Sequence, residues 1–448
     1  MLKYFKATLL LLVLCTTYKL KAQTCNYPYL GTKTLYSVQV YKNTVPPARY
    51  QPIFINHVGR HGARHLTKEV NTSFAYKLLM HADSAGALTA EGQKLKDMVM
   101  ALDKVEHGKV KSISGGGREE LQGIGQRMFN NYPKVFAGSP RLNVAITKEI
   151  RTKQSADAFL NGLKAGFLDS AKISEYTDDT DLRFYDASPT YTAFEDGGNW
   201  QTVMHQLEQK LKIADVDTKI INRWIKPAFT ETLKPAEIEK LVSDIFGFAT
   251  IVPSLRVEIA KADMKPGSVN FISLFNCDEI EALSKIDVAD DYLKKGPGTN
   301  KNGIQVRIAV PLLVNFINTT DQFIKNGDIN AELRFAHAET ISPFATLLGI
   351  DKASLLATDI NQLSQSWRSD QVISLSSNIQ WVFYRKKGSS NLLVKILLNE
   401  REVHINGLAT KLFPYYQWQA LRAFYLSKLN NLNVKLTDNM ADYLKEVK

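Results

Sequence analysis

The chain has 448 residues with 44% hydrophobic side chains and no repeat or low-complexity segment, a composition that predicts a globular protein and excludes a disordered one. At this length we expect one large domain with a second domain inserted into it. The formal net charge of +11 favours an anionic ligand, but this value alone does not separate polyphosphates from nucleic acid or a membrane surface.

The first 22 residues predict an export signal. Two lysines precede the apolar run at residues 7–15, and the small residue Ala22 closes the segment. The run is too short to remain as a membrane anchor, and no later stretch is long and apolar enough. Lipid attachment at Cys15 would need a small residue before it, and that residue is Leu14. We therefore expect cleavage near Ala22 and a secreted or periplasmic chain. The first 22 residues contain four lysines and no acidic residue, so the net charge falls from +11 by 4 to +7.

Residues 23–168 predict strands that alternate with helices. The apolar, β-branched run Pro52–Ile55 predicts a buried strand that leads into a loop of polar and glycine residues. Later segments predict, in order, a helix at 88–105 capped by Thr89, a helix at 118–132, a strand at 142–147 and a helix at 153–168. This order favours a mainly parallel central sheet flanked by helices.

Residues 169–265 contain long amphipathic stretches and few strand signals, so we expect an inserted α-helical domain there. The rest of the α/β domain is then residues 266–448. In that part the pattern predicts helices at 273–292 and 304–324, strands at 333–336, 391–398 and 403–405, and a turn at Asn399-Glu400.

Two cysteines, Cys25 and Cys277, remain after signal cleavage. In an oxidising compartment they can form a disulfide that ties the N-terminal tail to the body of the protein, or stay as two thiols, and the sequence leaves both open. Neither has a histidine near it in sequence, so we expect no catalytic role for either.

The motif Arg60-His61-Gly62-Ala63-Arg64 places two arginines beside a histidine in a loop after the first strand, where open α/β sheets bind ligands. Guanidinium groups match phosphoryl oxygens in bidentate geometry and stay charged, so Arg60 and Arg64 can hold a phosphate dianion. A neutral His61 between them can attack phosphorus and form a phosphohistidine.

The alternative interpretations of His61 are a core histidine and a zinc ligand. His57, His61 and His65 recur at every fourth residue, which would align three imidazoles on one helical face. Glycines at 59 and 62 disfavour that helix, and the neighbouring arginines would repel a metal cation.

A histidine nucleophile needs a general acid for the leaving alkoxide, and Glu339 is the candidate. His337-Ala338-Glu339 ends the predicted strand at 333–336, and alternation puts His337 and Glu339 on the same side. His337 can then contact phosphate oxygens while Glu339 reaches the ester oxygen. By itself this tripeptide is a weak signal, because an isolated His-x-Glu is usually a solvated turn.

Two other features are interpreted as structural. Gly115-Gly116-Gly117 suggests a phosphate cradle, but no strand precedes it and its spacing fits no nucleotide-binding motif, so we predict a loop before a helix. The aromatic cluster at 413–418 is interpreted as core rather than as a ligand platform.

Several segments together resemble branch-two histidine acid phosphatases, a family that includes phytases. The matching segments are 60–64 with Thr67-Lys68, Thr147–Ala156 with a third arginine, and 337–340, where His-Ala-Glu is similar to multiple inositol polyphosphate phosphatases. Further similarity at 291–298 and 395–400 extends the resemblance over nearly the whole mature chain. The chain departs from the family pattern at Leu66, where proline is usual, and at His65 before it, which puts the shape of the loop in doubt rather than the chemistry.

The resemblance implies that His61 is phosphorylated and that Glu339 donates the proton. It implies that four side chains bind the scissile phosphate: Arg60, Arg64, Arg151 and His337. Lys68 matches a position that meets substrate phosphates in related phytases. The resemblance also implies the histidine phosphatase fold with an inserted helical domain, and neither a metal nor another cofactor.

We therefore expect a secreted, monomeric phosphomonoesterase that hydrolyses inositol polyphosphates, phytate above all, and binds neither nucleic acid nor membranes. A broad-specificity acid or sugar phosphatase is the alternative in the same class. A phosphoglycerate mutase-like phosphotransferase shares the Arg-His-Gly chemistry, but its metabolites are cytoplasmic. An inactive periplasmic polyanion-binding protein is the alternative outside enzymes, and retention of the histidine, the three arginines and the carboxyl group disfavours it.

Overall fold

A computed structural model describes Cys25 and residues 27–38, 43–164, 170–265 and 267–448. The predicted export signal lies outside these residues. None of the described helices has both the length and the apolar character needed to cross a membrane.

The described residues form one eight-stranded mixed sheet in the order β3-β2-β4-β1-β5-β6-β7, and β8 pairs with β6. The strands are β1 (Tyr50–Arg60), β2 (Arg141–Ile146), β3 (Lys172–Thr177), β4 (Ala331–Ala336), β5 (Asn378–Lys386), β6 (Leu392–Leu398), β7 (Arg401–Glu402) and β8 (Tyr415–Gln417). Strands β3, β2, β4 and β1 are parallel, whereas β5 to β8 continue the sheet with antiparallel pairs. The carboxyl ends of the parallel strands therefore meet at one edge.

Helices cover the sheet and build a separate cluster beside it. In the first half of the chain they are α1 (Phe74–Ser84), α2 (Ala90–Glu106), α3 (Gly115–Asn131), α4 (Ile150–Lys164), α5 (Asp179–Leu182), α6 (Phe184–Ala187), α7 (Pro189–Gly197), α8 (Trp200–Leu211) and α9 (Ile213–Trp224). In the second half they are α10 (Pro227–Thr230), α11 (Pro235–Ile251), α12 (Arg256–Lys261), α13 (Cys277–Lys295), α14 (Ile304–Arg307), α15 (Val310–Asn326), α16 (Ala338–Leu348), α17 (Leu363–Ser366), α18 (Ser369–Val372), α19 (Trp418–Asn431) and α20 (Met440–Glu446).

Apolar side chains pack on both faces of the sheet. On one face, Trp381 of β5 stacks with Tyr425 of α19 at a ring separation of 5.5 Å and meets Phe316 of α15 at 5.2 Å. On the other face, Val144 of β2 packs with Phe159 of α4 in a second buried cluster. The alternation of side chains along each strand delivers residues to both layers, which is why β4 is buried along its whole length, including its polar residues Glu332 and Arg334.

A third apolar cluster joins α1 and α2 to α9, α11 and the start of α13. In this cluster, residues of the segment 169–265 therefore pack against residues that precede the segment and residues that follow it. That segment also contributes a sheet strand, β3, where the sequence has few strand signals. The boundaries of an inserted helical domain at 169 and 265 remain a prediction, because both adjoin residues outside the described ranges.

Two local predictions were wrong. Gly115-Gly116-Gly117 is not a loop but the first turn of α3, which Ser114 caps by accepting from the Gly117 amide. The strand expected at 403–405 is instead the two-residue β7, which pairs with β6 across a turn at Asn399-Glu400. Asn399 and Glu400 both have positive φ and form a tight turn. The next strand therefore begins directly after this turn, at Arg401, rather than at 403.

The glycines of α3 permit close contact with its neighbours. A Cβ on Gly117 would overlap with the backbone of Ala63, and a Cβ on Gly125 would overlap with the carbonyl of Phe159 in α4. The facing glycine of α4, Gly162, is equally close to the backbone of α3. The glycine-rich segment thus serves helix packing rather than phosphate binding.

The N-terminal tail is bonded to the body of the protein by a disulfide between Cys25 and Cys277, which the sequence left open. The bond joins residues 252 positions apart, at the first residue of α13. A cross-link over so long a loop restricts the unfolded chain and is expected to stabilise the fold by a few kcal/mol, at most about 5.

We predict that Gly125→Ala lowers the free energy of unfolding by about 1 to 3 kcal/mol, because the new methyl group forces α3 and α4 apart. Gly123→Ala is the matched control on the same helix. Its Cβ would meet only the end of the flexible Arg127 side chain, so alanine's higher helix propensity should leave stability unchanged or slightly raised. Urea unfolding of both variants measures the difference, and equal stabilities would contradict the close packing of the two helices.

Candidate active site

The loop 60–66 lies at the carboxyl edge of the sheet and is fixed by its own backbone. Its amides donate hydrogen bonds of 2.7 to 3.1 Å to partners in other parts of the chain: Arg60 to Ser377 O, His61 to Ala336 O, Gly62 to Ser155 Oγ, Ala63 to Glu120 Oε2, His65 to Ser112 O and Leu66 to Glu106 Oε2. These donors are therefore not available to a ligand. An anion bound here must be held by side chains.

His61 is buried and neutral. Its Nδ1 lies 2.9 Å from the Gly62 carbonyl oxygen, which can only accept, so Nδ1 carries the proton and Nε2 keeps its lone pair. Burial, and after it the charge of Arg60, lowers the pKa of His61 well below its usual value. The ring therefore presents an unprotonated nitrogen, as a nucleophile requires.

The three distant segments named by the sequence meet around His61. The rings of His61 and His337 lie 5.6 Å apart. Arg151, in the first turn of α4, places Nη2 3.2 Å from His337 Nδ1. His337, the residue after β4, follows the strand that pairs with β1. The parallel strands thus bring residues almost 280 positions apart into one pocket.

Both ring nitrogens of His337 have protein partners. Because a guanidinium only donates, Nδ1 accepts from Arg151 and the proton lies on Nε2, 3.0 Å from Thr147 Oγ1. Burial and Arg151 lower the pKa of His337 to about 3. The observed contacts hold Arg151 in place, and direct binding of phosphate by His337 stays a prediction.

Arg60 and Arg64 bring positive charge without a counter-ion. Within the described parts of the chain no carboxylate lies within 4 Å of either guanidinium, whereas Arg151 pairs with Glu149 at 2.6 Å. Arg60 Nη1 donates to the carbonyls of Thr32 and Ile373, both at 2.5 Å. Burial, then Arg60 and Arg151, lower the pKa of Arg64 to about 10, so the group stays charged near neutral pH. Such a pocket suits a dianion.

Glu339 faces a lysine that sequence reasoning missed. Its Oε1 lies 3.1 Å from Lys295 Nζ, which also pairs with Asp291 at 3.0 Å. Burial would raise the pKa of Glu339, but Lys295 and then His337 outweigh it and hold the pKa well below its usual value. Glu339 is therefore ionised in the empty pocket. The four-residue spacing of Asp291 and Lys295 on α13 is the sequence signal for this pair.

Lys68 lies apart from these contacts. Its side chain is exposed and makes no hydrogen bond or ion pair with any residue for which the structure gives a position. Its role at substrate phosphates stays a prediction.

The three histidines at every fourth position have three different environments. His57 is buried on β1 between Phe159 and Phe335, at ring separations of 5.3 and 5.6 Å. His65 lies 3.0 Å from Glu106 and 3.6 Å from Glu258. They do not form a common site, and across the described ranges no cluster of three or more histidine, cysteine or acidic side chains is arranged to hold a metal ion.

Comparison with known proteins finds similarity along most of the chain. The sequence profile of the histidine phosphatase superfamily (branch 2) matches residues 53–399. The chain is 23% identical over 403 residues to multiple inositol polyphosphate phosphatase 1 of Gallus gallus, which covers 86% of this chain and 84% of that protein. The protein of the same name from Homo sapiens is 22% identical over 428 residues, with coverages of 84% and 82%.

Two solved structures share the fold. The multiple inositol polyphosphate phosphatase of Bifidobacterium longum in complex with inositol hexasulfate superposes with a TM-score of 0.75 at 20% identity, covering 89% of this chain and 97% of that one. The phytase from D. castellii gives a TM-score of 0.66 at 15% identity, with coverages of 93% and 89%. The α/β fold with a central sheet and flanking helices expected from the sequence is thereby confirmed, although the sheet is mixed rather than mainly parallel.

We predict that protonated His65 stabilises the fold in a pH-dependent way. Burial opposes its charge, but hydrogen bonds to Glu106 and Glu258 raise the pKa of His65 to about 9. Because this value lies above the unfolded one, about 6.5, the stabilisation is complete below about pH 6.5 and is lost as the pH rises through about 9. His65→Gln should therefore lower the free energy of unfolding by on the order of 3 kcal/mol at pH 6, and by much less at pH 10.

Urea unfolding at both pH values measures this effect, with His107→Gln as the control because that imidazole is 76% exposed. A loss for His65→Gln that is equal at pH 6 and pH 10 would contradict the charged state of His65.

Proposed function

This chain belongs to branch 2 of the histidine phosphatase superfamily and is a phosphatase, and on that basis we propose that it hydrolyses inositol polyphosphates, phytate above all. The observation that carries the proposal is a neutral His61 with a free Nε2 lone pair between two arginines that form no ion pair with any described residue. The named similarity to multiple inositol polyphosphate phosphatases supports the choice of substrate.

The first step transfers the phosphoryl group to the protein. His61 Nε2 attacks phosphorus, an N–P bond forms, and the P–O bond to the inositol breaks. The leaving alkoxide takes a proton from Glu339, which matters because an alkoxide is a poor leaving group. In the second step water attacks the phosphohistidine and gives its proton to Glu339. This releases inorganic phosphate and restores both groups, so no metal or other cofactor is required.

Positive charge stabilises the transferring phosphoryl group. Arg60, Arg64 and Arg151 surround His61 with groups that remain charged as negative charge moves among the phosphoryl oxygens. Arg151 contacts Glu149 and His337 in the empty pocket, so it must give up part of these contacts to bind the substrate phosphate. Guanidinium forks suit that exchange because they hold oxygens in a fixed planar geometry.

Substrate binding also prepares the acid. Glu339 is ionised in the empty pocket because the surrounding cations stabilise its charge. A phosphate dianion beside it opposes that effect and raises the affinity of Glu339 for a proton. A phosphate ester arriving in its monoanionic form can bring that proton with it. Glu339 is thus protonated, and able to act as an acid, only when a substrate is present.

The export signal and the disulfide support a secreted or periplasmic location, where phytate from outside the cell would be the substrate. A small polyphosphorylated molecule is then the expected partner, and the protein acts as a monomer. A broad acid or sugar phosphatase remains the alternative. It would show a kcat/KM on glucose phosphate equal to or above that on phytate.

We predict that the purified protein releases phosphate from phytate in the presence of a metal chelator and that His61→Ala abolishes this release. The substitution removes the nucleophile, so phosphohistidine should also disappear from samples quenched without acid. His81→Ala, which packs on Phe229 in the helical cluster, is the control and should retain activity. Failure of the wild-type protein to release phosphate at any pH between 4 and 8 would reject the proposed function.

We predict that Glu339→Gln separates substrates by their leaving groups. Hydrolysis of phytate should fall by at least about 100-fold, because the alkoxide loses its proton donor. Hydrolysis of 4-nitrophenyl phosphate should fall by less than about tenfold, because nitrophenolate leaves without protonation. Measurement of kcat for both substrates tests this, and equal losses would remove Glu339 from the acid role.

A further inference from the structure

A short N-terminal 3-10 turn, Gly31–Lys33, lies against the active site. The carbonyl of Thr32 accepts from Arg60 Nη1, so the next residue, Lys33, is fixed beside the arginine pocket. Lys33 Nζ donates to Thr250 Oγ1 of α11 at 2.8 Å, and the Thr250 hydroxyl in turn donates to the Gly247 carbonyl at 2.9 Å. One of the three ammonium hydrogens is thus used to hold Lys33 in position.

The other two hydrogens of Lys33 have no carboxylate to bind. In the part of the chain with described positions, no carboxylate oxygen lies within 4 Å of this ammonium group, whereas Lys295 pairs with both Asp291 and Glu339. Burial lowers the pKa of Lys33, and the charges of Arg64 and Arg60 add to that effect while Asp287 and Asp291 oppose it. A partly buried cation without an ion pair destabilises the folded protein, because the charge loses its hydration. Such a group is therefore expected where an anionic ligand binds beside it.

Lys33 lines a cavity of about 720 Å³ between α8, α9, α11 and α13. Arg60, His61 and Arg64 are not among its lining residues, so Lys33 stands between this cavity and the arginine pocket. Its lining also carries Glu208, Asp217 and Glu239, whose charges act on one another, and Lys212. Within the lining, Lys33 is the cation that lies next to the arginine pocket, so a negative group of a substrate is expected there.

We propose that Lys33 binds a phosphate of the substrate other than the one transferred to His61, and so selects polyphosphorylated substrates over monophosphates. The inference rests on the proposed function and adds a second anion site to it. Arg60 and Arg64 hold the reacting phosphate, and the neighbouring ammonium holds another phosphate of the same ring. A monophosphate leaves the Lys33 position empty.

Asp287 provides a reciprocal test. It lines the same cavity and acts electrostatically on Lys33, with no ion pair between them at 4 Å or less. A phosphate at Lys33 would experience repulsion from this carboxylate. Asp287→Asn should therefore change the preference for polyphosphates in the direction opposite to a loss of the Lys33 charge.

The test measures the ratio of kcat/KM for phytate to kcat/KM for 4-nitrophenyl phosphate. Lys33→Gln should lower this ratio by about tenfold, the loss expected for one charge-assisted hydrogen bond. Lys33→Arg should restore most of the ratio, and Asp287→Asn should raise it. Lys219→Gln, an exposed lysine of α9 outside the cavity, is the control and should leave the ratio unchanged.

Calorimetry with inositol hexasulfate gives a second measurement, the Kd of a ligand that is not turned over. This molecule carries sulfate esters and no phosphate ester, so the protein cannot hydrolyse it as it hydrolyses phytate. Its Kd should rise about tenfold in Lys33→Gln while the thermal unfolding temperature stays within a few degrees of the wild type. If the wild-type protein hydrolyses both substrates and Lys33→Gln changes neither the ratio nor this Kd, the inference about Lys33 is wrong and the proposed function stands. If the wild-type protein hydrolyses 4-nitrophenyl phosphate but not phytate, both are wrong.

Discussion

The site depends on one electrostatic constraint, which is that several cations surround a histidine that must stay neutral. Arg60 and Arg64 form no ion pair with any residue of described position, and inside a buried pocket the charge of Arg60 opposes that of Arg64. Under the proposed function, a phosphate dianion would relieve that repulsion. Its charge would also act on Glu339, so one binding event would neutralise the pocket and prepare the acid. His61 remains unprotonated throughout because burial and its neighbours disfavour the imidazolium form.

Backbone hydrogen bonds hold the loop that carries these arginines in place despite the repulsion between them. The amides of the loop after β1 are bonded to α3, α4, β4 and the loop before β5, and glycines at 62 and 117 let the loop and α3 approach closely. The ion pairs of His65 with Glu106 and Glu258 fix the far end of the loop to α2 and α12. A consequence is that these backbone amides are not available to a ligand, so side chains such as those of Arg60 and Arg64 are left to bind a phosphate under the proposed function.

The sequence motifs predicted much of the site because their chemistry is local. Arg60, His61 and Arg64 adjoin one strand end, and Glu339 follows another. The resemblance to branch-two histidine acid phosphatases, whose family profile matches this chain, implied Arg151. The roles of these residues stay predictions. Periodicity also located most helices and strands. It failed at Gly115-Gly116-Gly117, because glycine lowers helix propensity and only the close contact with Ala63 explains a helix there. It failed at 403–405, because the register of β7 depends on pairing with β6.

By itself, the sequence determined which functional groups are present, which of them adjoin the ends of strands, and to which family the chain belongs. Only the tertiary structure decided that Cys25 bonds to Cys277, that Lys295 keeps Glu339 ionised, and that Lys33 lies beside the arginines with no carboxylate of the described residues within 4 Å. The physical reason is that ionisation and pairing depend on distances in space, whereas a motif reports only distances along the chain. Residues separated by hundreds of positions meet here because parallel strands end at the same edge of one sheet.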